Sequence, residues 1–176
     1  MIAFMGISGA GKSYLLKNMP SRHSYHVVTA SELIKGQIKS RDSLIISSEQ
    51  MRLSPTSDMQ ALLIEGVSIE RQTAKSPIVL DCHAIVDKGD HLDPVPINVF
   101  GKIGVLRVIH LVVSPSEIWS RRRDDNSRTR PEISVEQIAD HQNRSVAHAR
   151  AISLAIQAEY FETNGSDLCE LLKMKS

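Results

Sequence analysis

The segment from Gly6 to Ser13 carries the most specific chemical pattern in the sequence. It reads G-x-x-x-x-G-K-S and follows directly on the apolar run at 2–5. This spacing is typical of a loop between a buried strand and a helix, in which backbone N–H groups bind phosphate oxygens. Gly9 and Gly11 permit the tight turn and the close approach of backbone to ligand. The pattern therefore predicts a nucleoside triphosphate site.

The side chains of this loop suit different parts of a triphosphate and its magnesium ion. Lys12 can reach the β- and γ-phosphates, and the Ser13 hydroxyl suits Mg²⁺. The ATP-binding residues expected here are Gly9, Ala10, Gly11, Lys12, Ser13 and Tyr14. The alternative is a glycine-rich turn that happens to precede a lysine. The apolar run before the loop and the helical pattern after it argue against that alternative.

A second candidate feature is a carboxylate at the end of a predicted strand. The apolar run 78–80 ends in Asp81, and His83 follows two residues later. Ligands of open parallel sheets bind beyond the carboxyl ends of the strands, so Asp81 is expected to organise Mg²⁺, partly through water. An aspartate that only caps a turn is the alternative. His83 could face the substrate or pack at the strand end, and the sequence leaves both open.

The third feature is a group of arginines in the segment 121–133, which we predict to be a lid. Five arginines lie within ten residues: Arg121, Arg122, Arg123, Arg128 and Arg130. Arg128 and Arg130 follow the helical pattern in an expected loop, where guanidinium groups could close on a transferring phosphoryl group. Arg121 and Arg123 are equally compatible with a solvated helix end. A nucleic-acid patch would need interleaved aromatic side chains, and only Trp119 is near.

The segment of about 30–76 is long enough for more than a single crossover helix, and Pro55 interrupts it. We expect it to bind the acceptor of the phosphoryl group. Its available anion binders are Arg41, Arg52 and Arg71. Gln60, on a predicted helix, could hydrogen-bond a base edge. Each of these residues taken alone is equally compatible with an ordinary surface position.

Short apolar runs alternate with helical patterns, which predicts an α/β fold of three layers with a parallel sheet flanked by helices. The predicted strands are 2–5, 24–28, 77–81, 108–113 and 159–162. Capping boxes predict where helices begin. These are Thr29 with Glu32, Ser57 with Gln60, Ser114 with Glu117, and Ser134 with Gln137.

Length and composition limit the classes that need to be considered. The chain has 176 residues and a formal net charge of +1. We therefore expect one domain over 1–176 that binds no nucleic acid and enters no membrane. The N-terminal apolar residues run straight into the phosphate loop, which is unlike a signal peptide. Cys82 and Cys169 lie far apart, so free thiols in the reducing cytoplasm are expected.

Several of these segments together resemble the archaeal-type adenylate kinases, which are small P-loop nucleoside monophosphate kinases. The resemblance rests on Gly6–Ser13, Glu49–Pro55, Asp81–Ala84, Arg121–Arg130 and Glu136–Gln142, in the same order. It implies a five-stranded parallel sheet of order 2-3-1-4-5, with MgATP as donor and AMP as acceptor. It also implies that Arg52 grips the acceptor phosphate, that Arg128 and Arg130 act on the transferring group, and that Arg122 lies against the donor adenine. A homo-oligomer is compatible with it.

Two other classes of function stay open on the sequence. One is a kinase of a small non-nucleotide metabolite on the same scaffold. The other is a regulatory ATP-binding or ATPase module without a second substrate. The retention of Asp81 together with Arg128 and Arg130 argues against the second class.

Overall fold

The computed structural model describes residues 1–43, 45–125 and 133–174. The strands are β1 (Ile2–Met5), β2 (His26–Thr29), β3 (Ile78–Asp81), β4 (Ile85–Asp87), β5 (Leu92–Pro94), β6 (Arg107–Leu111) and β7 (Glu159–Thr163). The helices are α1 (Lys12–Asn18), α2 (Ala30–Asp42), α3 (Ser48–Leu53), α4 (Thr56–Thr73), α5 (Ile97–Lys102), α6 (Pro115–Asp124), α7 (Val135–Ala155) and α8 (Leu168–Lys173), with a 3₁₀ turn at Arg22–Ser24.

Five of the strands form one parallel sheet in the order β2-β3-β1-β6-β7. Counted within this sheet, the order is 2-3-1-4-5, and the predicted α/β fold with this topology is confirmed. The antiparallel pair of β4 with β5 forms a second, small sheet. This hairpin was not predicted, because strands of three residues are too short to show an alternating pattern.

The central strand β1 supplies the core on both faces of the sheet. Ala3 and Met5 belong to one apolar cluster, whereas Ile2 and Phe4 belong to another. Successive side chains of a strand point to opposite faces, so a strand covered by helices on both sides must be apolar throughout. The first cluster includes residues of α2, α4, α5 and α7, and the second includes residues of α1, α6, α7 and α8.

Two helices begin with a capping box. Ser134 accepts a hydrogen bond from the Gln137 N–H, and the Gln137 side chain accepts one from the Ser134 N–H. This predicted box is confirmed. Ser47 and Gln50 form the same pair of hydrogen bonds before α3, and this box was not predicted.

The other predicted boxes do not form. Thr29 and Ser114 precede α2 and α6 as predicted, but neither side chain makes a capping hydrogen bond. Ser57 is the second residue of α4, so its predicted box with Gln60 is wrong. The helix begins earlier because Pro55 occupies the N-cap with φ −54°, and the proline ring fixes that angle.

The inward face of α7 carries polar as well as apolar residues. Ile138 and Ile152 are buried, and His141, Gln142 and Ser145 are buried with them. The Gln142 side chain accepts from the Val113 N–H at 3.1 Å and donates to the Val113 carbonyl at 3.0 Å. This pair of hydrogen bonds fixes α7 against the chain just beyond β6.

No helix in the described ranges is both long and apolar enough to cross a membrane. Cys82 and Cys169 are free thiols, as expected.

His110 is fully buried in β6, beside Met5 of β1 and Glu162 of β7. Its Nε2 lies 2.9 Å from the Ser145 hydroxyl. Burial, with a smaller contribution from the positive charge of Lys12, lowers the pKa of His110 to about 4, although Glu162 acts in the opposite direction. The imidazole is therefore neutral in the folded protein at neutral pH.

This burial predicts a loss of stability in mild acid. The unfolded chain takes up a proton at His110 below its ordinary pKa of 6.5, whereas the folded chain does so only near 4. Stability is therefore complete above the ordinary value and falls as the pH drops towards the folded value. We expect a loss of about 2 kcal/mol between about pH 7.5 and about pH 5 from this group.

The measurement is urea unfolding at both pH values for the wild type and His110→Gln, whose amide can still reach Ser145. The variant should lose less stability on acidification than the wild type. His23→Asn, at an exposed position of the 3₁₀ turn, is the control. Equal acid losses in the wild type and His110→Gln would contradict the prediction.

Candidate active site

The phosphate loop joins β1 to α1 in a conformation that requires glycine. Gly9 has φ +87° and Gly11 has φ +99°, both in the region that residues with side chains rarely adopt. A Cβ on Gly9 would lie 2.9 Å from Cγ of Arg122. The loop is therefore packed closely against α6.

Lys12 is folded back into the loop and is 6% exposed. Its Nζ donates to the Gly6 carbonyl at 2.8 Å and lies 3.7 Å from Oδ1 of Asp81. A buried ammonium group is stable only when it is paired with acceptors of this kind. These contacts hold the charge of Lys12 at the carboxyl ends of β1 and β3.

Ser13 and Asp81 meet at the same edge of the sheet. The Ser13 hydroxyl donates to Oδ2 of Asp81 at 2.6 Å, and Asp81 pairs in register with Phe4 of the central strand. Hydroxyl and carboxylate oxygens are the ligand types that Mg²⁺ accepts, with water and phosphate oxygens completing the coordination. The described residues contain no cluster of three or more His, Cys, Asp or Glu that could hold a metal by themselves. This pair therefore fits a magnesium ion that arrives with a phosphate ligand.

The side chain of His83, which follows β3, contacts the phosphate loop. Its Nδ1 is 2.7 Å from the Gly6 carbonyl. A carbonyl oxygen can only accept, so Nδ1 carries the proton. The Gly6 carbonyl thus accepts from both Lys12 and His83, which come from different parts of the chain.

Adjacent arginines of α6 bind successive parts of the loop. Nε and one terminal nitrogen of Arg122 donate to the Ser8 carbonyl at 3.0 and 2.8 Å. Arg121 donates to the Ala10 carbonyl at 2.7 Å and also pairs with Glu117. Arg123 instead stacks over Trp119, 4.6 Å from the ring centroid. Arg121 is therefore more than a solvated residue at a helix end, and its role at the loop was not predicted.

Two cavities open beside the loop, and Gly11, Tyr14 and Arg121 line both of them. The smaller, of about 320 Å³, extends from the loop towards the start of α2. Its walls include Gly9, Lys12, Ser13, Ala30, Asp81 and His83. The larger, of about 800 Å³, lies on the other side, and its walls include Ala10, Leu15, Val113, Glu117 and Asn164. Ala10 is buried and lines only the larger of these two cavities, whereas the exposed Tyr14 lines both.

Arg52 on α3 lies away from both cavities. It donates to the Glu49 carboxylate at 3.1 and 2.5 Å and to the Asp87 carbonyl at 2.9 Å. Lys88 donates to the Ser54 carbonyl at 2.6 Å. These contacts join the corner between α3 and α4 to the hairpin of β4 and β5.

Gln60 likewise lines neither cavity, but it carries an unusual polar group. Its Nε2 is buried and has no hydrogen-bond partner within the part of the chain that the structure describes. Leu63 and Val67, three and seven residues further along α4, are buried, so Gln60 lies on the inward face of that helix.

His141 connects α7 to the hairpin. It is 4% exposed, and its Nδ1 lies 3.9 Å from the Asp87 carboxylate. Burial lowers the pKa of His141, and the negative charge of Asp87 opposes that effect. The signal that could have found His141 is a run of polar residues within the apolar stripe of a predicted helix.

The structure thus brings Lys12, Ser13, Asp81 and His83 together but leaves Arg52 and Gln60 apart from them. Arg128 and Arg130, and most of the predicted lid, lie outside the described residues.

A family model described as an AAA domain, AAA_17, matches residues 5–139. The chain belongs to this family. An adenylate kinase of Thermococcus kodakarensis is 29% identical over 163 residues, covering 86% of this chain and 80% of the relative. An adenylate kinase of Thermoplasma acidophilum is 29% identical over 150 residues, covering 85% and 80%.

These archaeal adenylate kinases are homologues of the chain, so the resemblance found in the sequence is confirmed. A crystal structure of shikimate kinase from Bacteroides thetaiotaomicron has the same fold. Its TM-score is 0.57 at 15% identity, and the match covers 98% of each chain.

The burial of Lys12 predicts an effect on stability as well as on chemistry. Lys12→Ala removes the cation beside Asp81 and one donor to Gly6, so we expect the free energy of unfolding to fall by about 1–3 kcal/mol. Adding Asp81→Asn should recover part of that loss, because a neutral amide needs no cation. Urea denaturation of the two single variants and the double variant measures the coupling. Strictly additive losses would show that the two side chains do not interact.

Proposed function

We propose that the protein is an ATP-dependent nucleoside monophosphate kinase. It moves the γ-phosphoryl group of MgATP to a nucleoside monophosphate, and AMP is the proposed acceptor. The observation that carries the proposal is the convergence of Lys12, Ser13 and Asp81 at one edge of the sheet. The Ser13 hydroxyl lies 2.6 Å and the Lys12 ammonium 3.7 Å from the Asp81 carboxylate. Homology to archaeal adenylate kinases supports the same chemistry.

The residues at this edge have separate roles in the proposed reaction. The Lys12 ammonium stabilises negative charge on the oxygens of the transferring group. Ser13 and Asp81 would hold magnesium, Asp81 partly through water. When bound, that ion neutralises charge on the β- and γ-phosphate oxygens. His83 fixes the Gly6 carbonyl and so holds the beginning of the loop in place.

The two cavities suit two substrates that meet at the loop. We assign the triphosphate to Gly9–Ser13 and the donor base to the larger cavity, whose volume of about 800 Å³ is ample for a nucleoside. Arg122, which is bound to the Ser8 carbonyl, then acts by fixing the loop. The smaller cavity reaches Ala30 at the start of the proposed acceptor region, 30–76.

The acceptor assignment rests on Arg52, Gln60 and the extent of the region 30–76. The partnerless Nε2 of Gln60 favours an acceptor with its own hydrogen-bond acceptors, such as a base edge, because a buried unsatisfied donor is costly. Arg52 is bound to Glu49 and must exchange that carboxylate for a phosphate. A movement of α3 towards the loop is therefore part of the proposal.

The decisive experiment uses ADP alone. If ATP and AMP are the substrates of the forward reaction, the reverse reaction should convert MgADP to equal amounts of ATP and AMP. Anion-exchange chromatography measures both products. A diadenosine polyphosphate, which can fill both sites for a single association cost, should inhibit. If ADP stays unchanged and ATP is consumed only with a non-nucleotide metabolite, the protein is a metabolite kinase instead. If ADP stays unchanged and ATP is hydrolysed without any acceptor, it is an ATPase module.

The control for a contaminating kinase is a variant of the proposed lid, Arg128→Ala/Arg130→Ala, purified in parallel. These arginines are proposed to stabilise the transition state, so turnover should fall by about 10²-fold or more. Arg123→Ala should keep wild-type turnover, because Arg123 stacks on Trp119. Equal activity in all three proteins would point to a contaminant or to a lid without a catalytic role.

Arg52→Ala tests the acceptor site. Loss of a charged phosphate contact should raise the KM for AMP by about tenfold or more, with a much smaller change in the KM for ATP. Arg41→Ala is the matched control, since Arg41 is an exposed arginine of the same region that pairs with Glu65. The KM values come from steady-state kinetics with each substrate varied in turn. A parallel rise in both KM values would remove Arg52 from the acceptor site.

A further inference from the structure

Arg121 lies where the two cavities meet, and an acidic side chain of its own helix holds it there. Its guanidinium donates to the Ala10 carbonyl at 2.7 Å. One of its terminal nitrogens lies 3.0 Å from the point where a Cβ on Gly11 would be. Glu117, four residues earlier on α6, pairs with another of its nitrogens. The guanidinium thus covers the loop immediately before Lys12.

The sequence predicted a different role for Glu117, namely a capping box with Ser114. In the structure Ser114 bonds to the Ser116 hydroxyl and makes no capping contact. The Glu117 carboxylate is directed instead to Arg121, and it lines the larger cavity with that residue. Its side chain is 52% exposed and that of Arg121 is 44% exposed. The pair is therefore accessible to an incoming anion.

A phosphate ligand at the loop must compete with this carboxylate. Arg121 has donors that suit phosphate oxygens bidentately, but Glu117 occupies part of that capacity. The same carboxylate also repels a polyanion that enters the cavity. Both effects weaken binding in proportion to the charge of the ligand, and neither involves its base.

We propose that Glu117 is a competing internal anion that sets the affinity and charge selectivity of the phosphate site through Arg121. Anionic ligands displace the Glu117 carboxylate from the guanidinium, and uncharged ligands do not. This inference rests on the proposed function only in requiring that polyphosphates bind at the loop.

The test is Glu117→Gln, which keeps the shape of the side chain and removes its charge. Isothermal titration calorimetry would compare inorganic tripolyphosphate, ADP, a non-hydrolysable ATP analogue and adenosine. At low ionic strength the variant should bind tripolyphosphate and the ATP analogue about two- to fivefold more tightly than the wild type, the range expected for losing an exposed ion pair. The gain should be smaller for ADP, absent for adenosine, and reduced at high salt.

Two further comparisons separate a direct effect of Glu117 from a general change in the charge of the protein. Asp140→Asn removes one negative charge from another i,i+4 pair, that with Arg144 on α7, away from both cavities, and should leave affinities unchanged. In an Arg121→Ala background, the gain from Glu117→Gln should be smaller, because only the direct repulsion between Glu117 and the ligand remains to be relieved. A gain of equal size in that background, an equal gain in Asp140→Asn, or unchanged or weaker binding in Glu117→Gln would each overturn the inference.

Failure of the inference can be told apart from failure of the proposed function. If the wild type binds neither tripolyphosphate nor the ATP analogue, the phosphate site itself is wrong and both proposals fall. If the wild type binds them and Glu117→Gln binds them equally well, only the competition by Glu117 is wrong.

Discussion

The burial of β1 on both faces is the constraint on which the rest of the molecule depends. Ala3, Phe4 and Met5 are wholly inaccessible, and β3 and β6 pair with the strand on either side. The carboxyl end of β1 therefore lies at the centre of the sheet, and the phosphate loop must begin there. The first residue of the loop, Gly6, has little room for a side chain, because a Cβ at that position would lie 3.1 Å from the Leu111 carbonyl oxygen.

The loop places several carbonyl oxygens where side-chain N–H donors from three elements bind them. Lys12 of α1 and His83 beyond β3 bind the Gly6 carbonyl. Arg122 and Arg121 of α6 bind the carbonyls of Ser8 and Ala10. These contacts satisfy polar groups that would be costly to bury alone. They also gather positive charge around the loop, which suits a polyanionic ligand.

Some local features of the structure could be predicted from the sequence, and others could not. The boundaries of β1 and the capping box of Ser134 follow from local patterns, and both were predicted correctly. The box of Ser57 was wrong because Pro55 starts α4 earlier. Capping patterns compete with neighbouring backbone preferences, and the sequence does not show which wins. Which loop carbonyl Arg121 binds and which Arg122 binds depends on how α6 is rotated against the loop. Only the packing of the helix sets that rotation.

The sequence by itself determined the phosphate loop and the α/β class. A glycine pattern with fixed spacing and continuous apolar runs are local properties, and the homologous family supplied the strand order. Only the tertiary structure decided that Lys12 lies beside Asp81, that Ser13 bonds to Asp81, and that Arg121 bonds to the Ala10 carbonyl. The Lys12 and Asp81 contacts are set by the register of β1 with β3, and the arginine contacts by the packing of α6 on the loop. Those relations join residues far apart in the chain, so no short pattern encodes them.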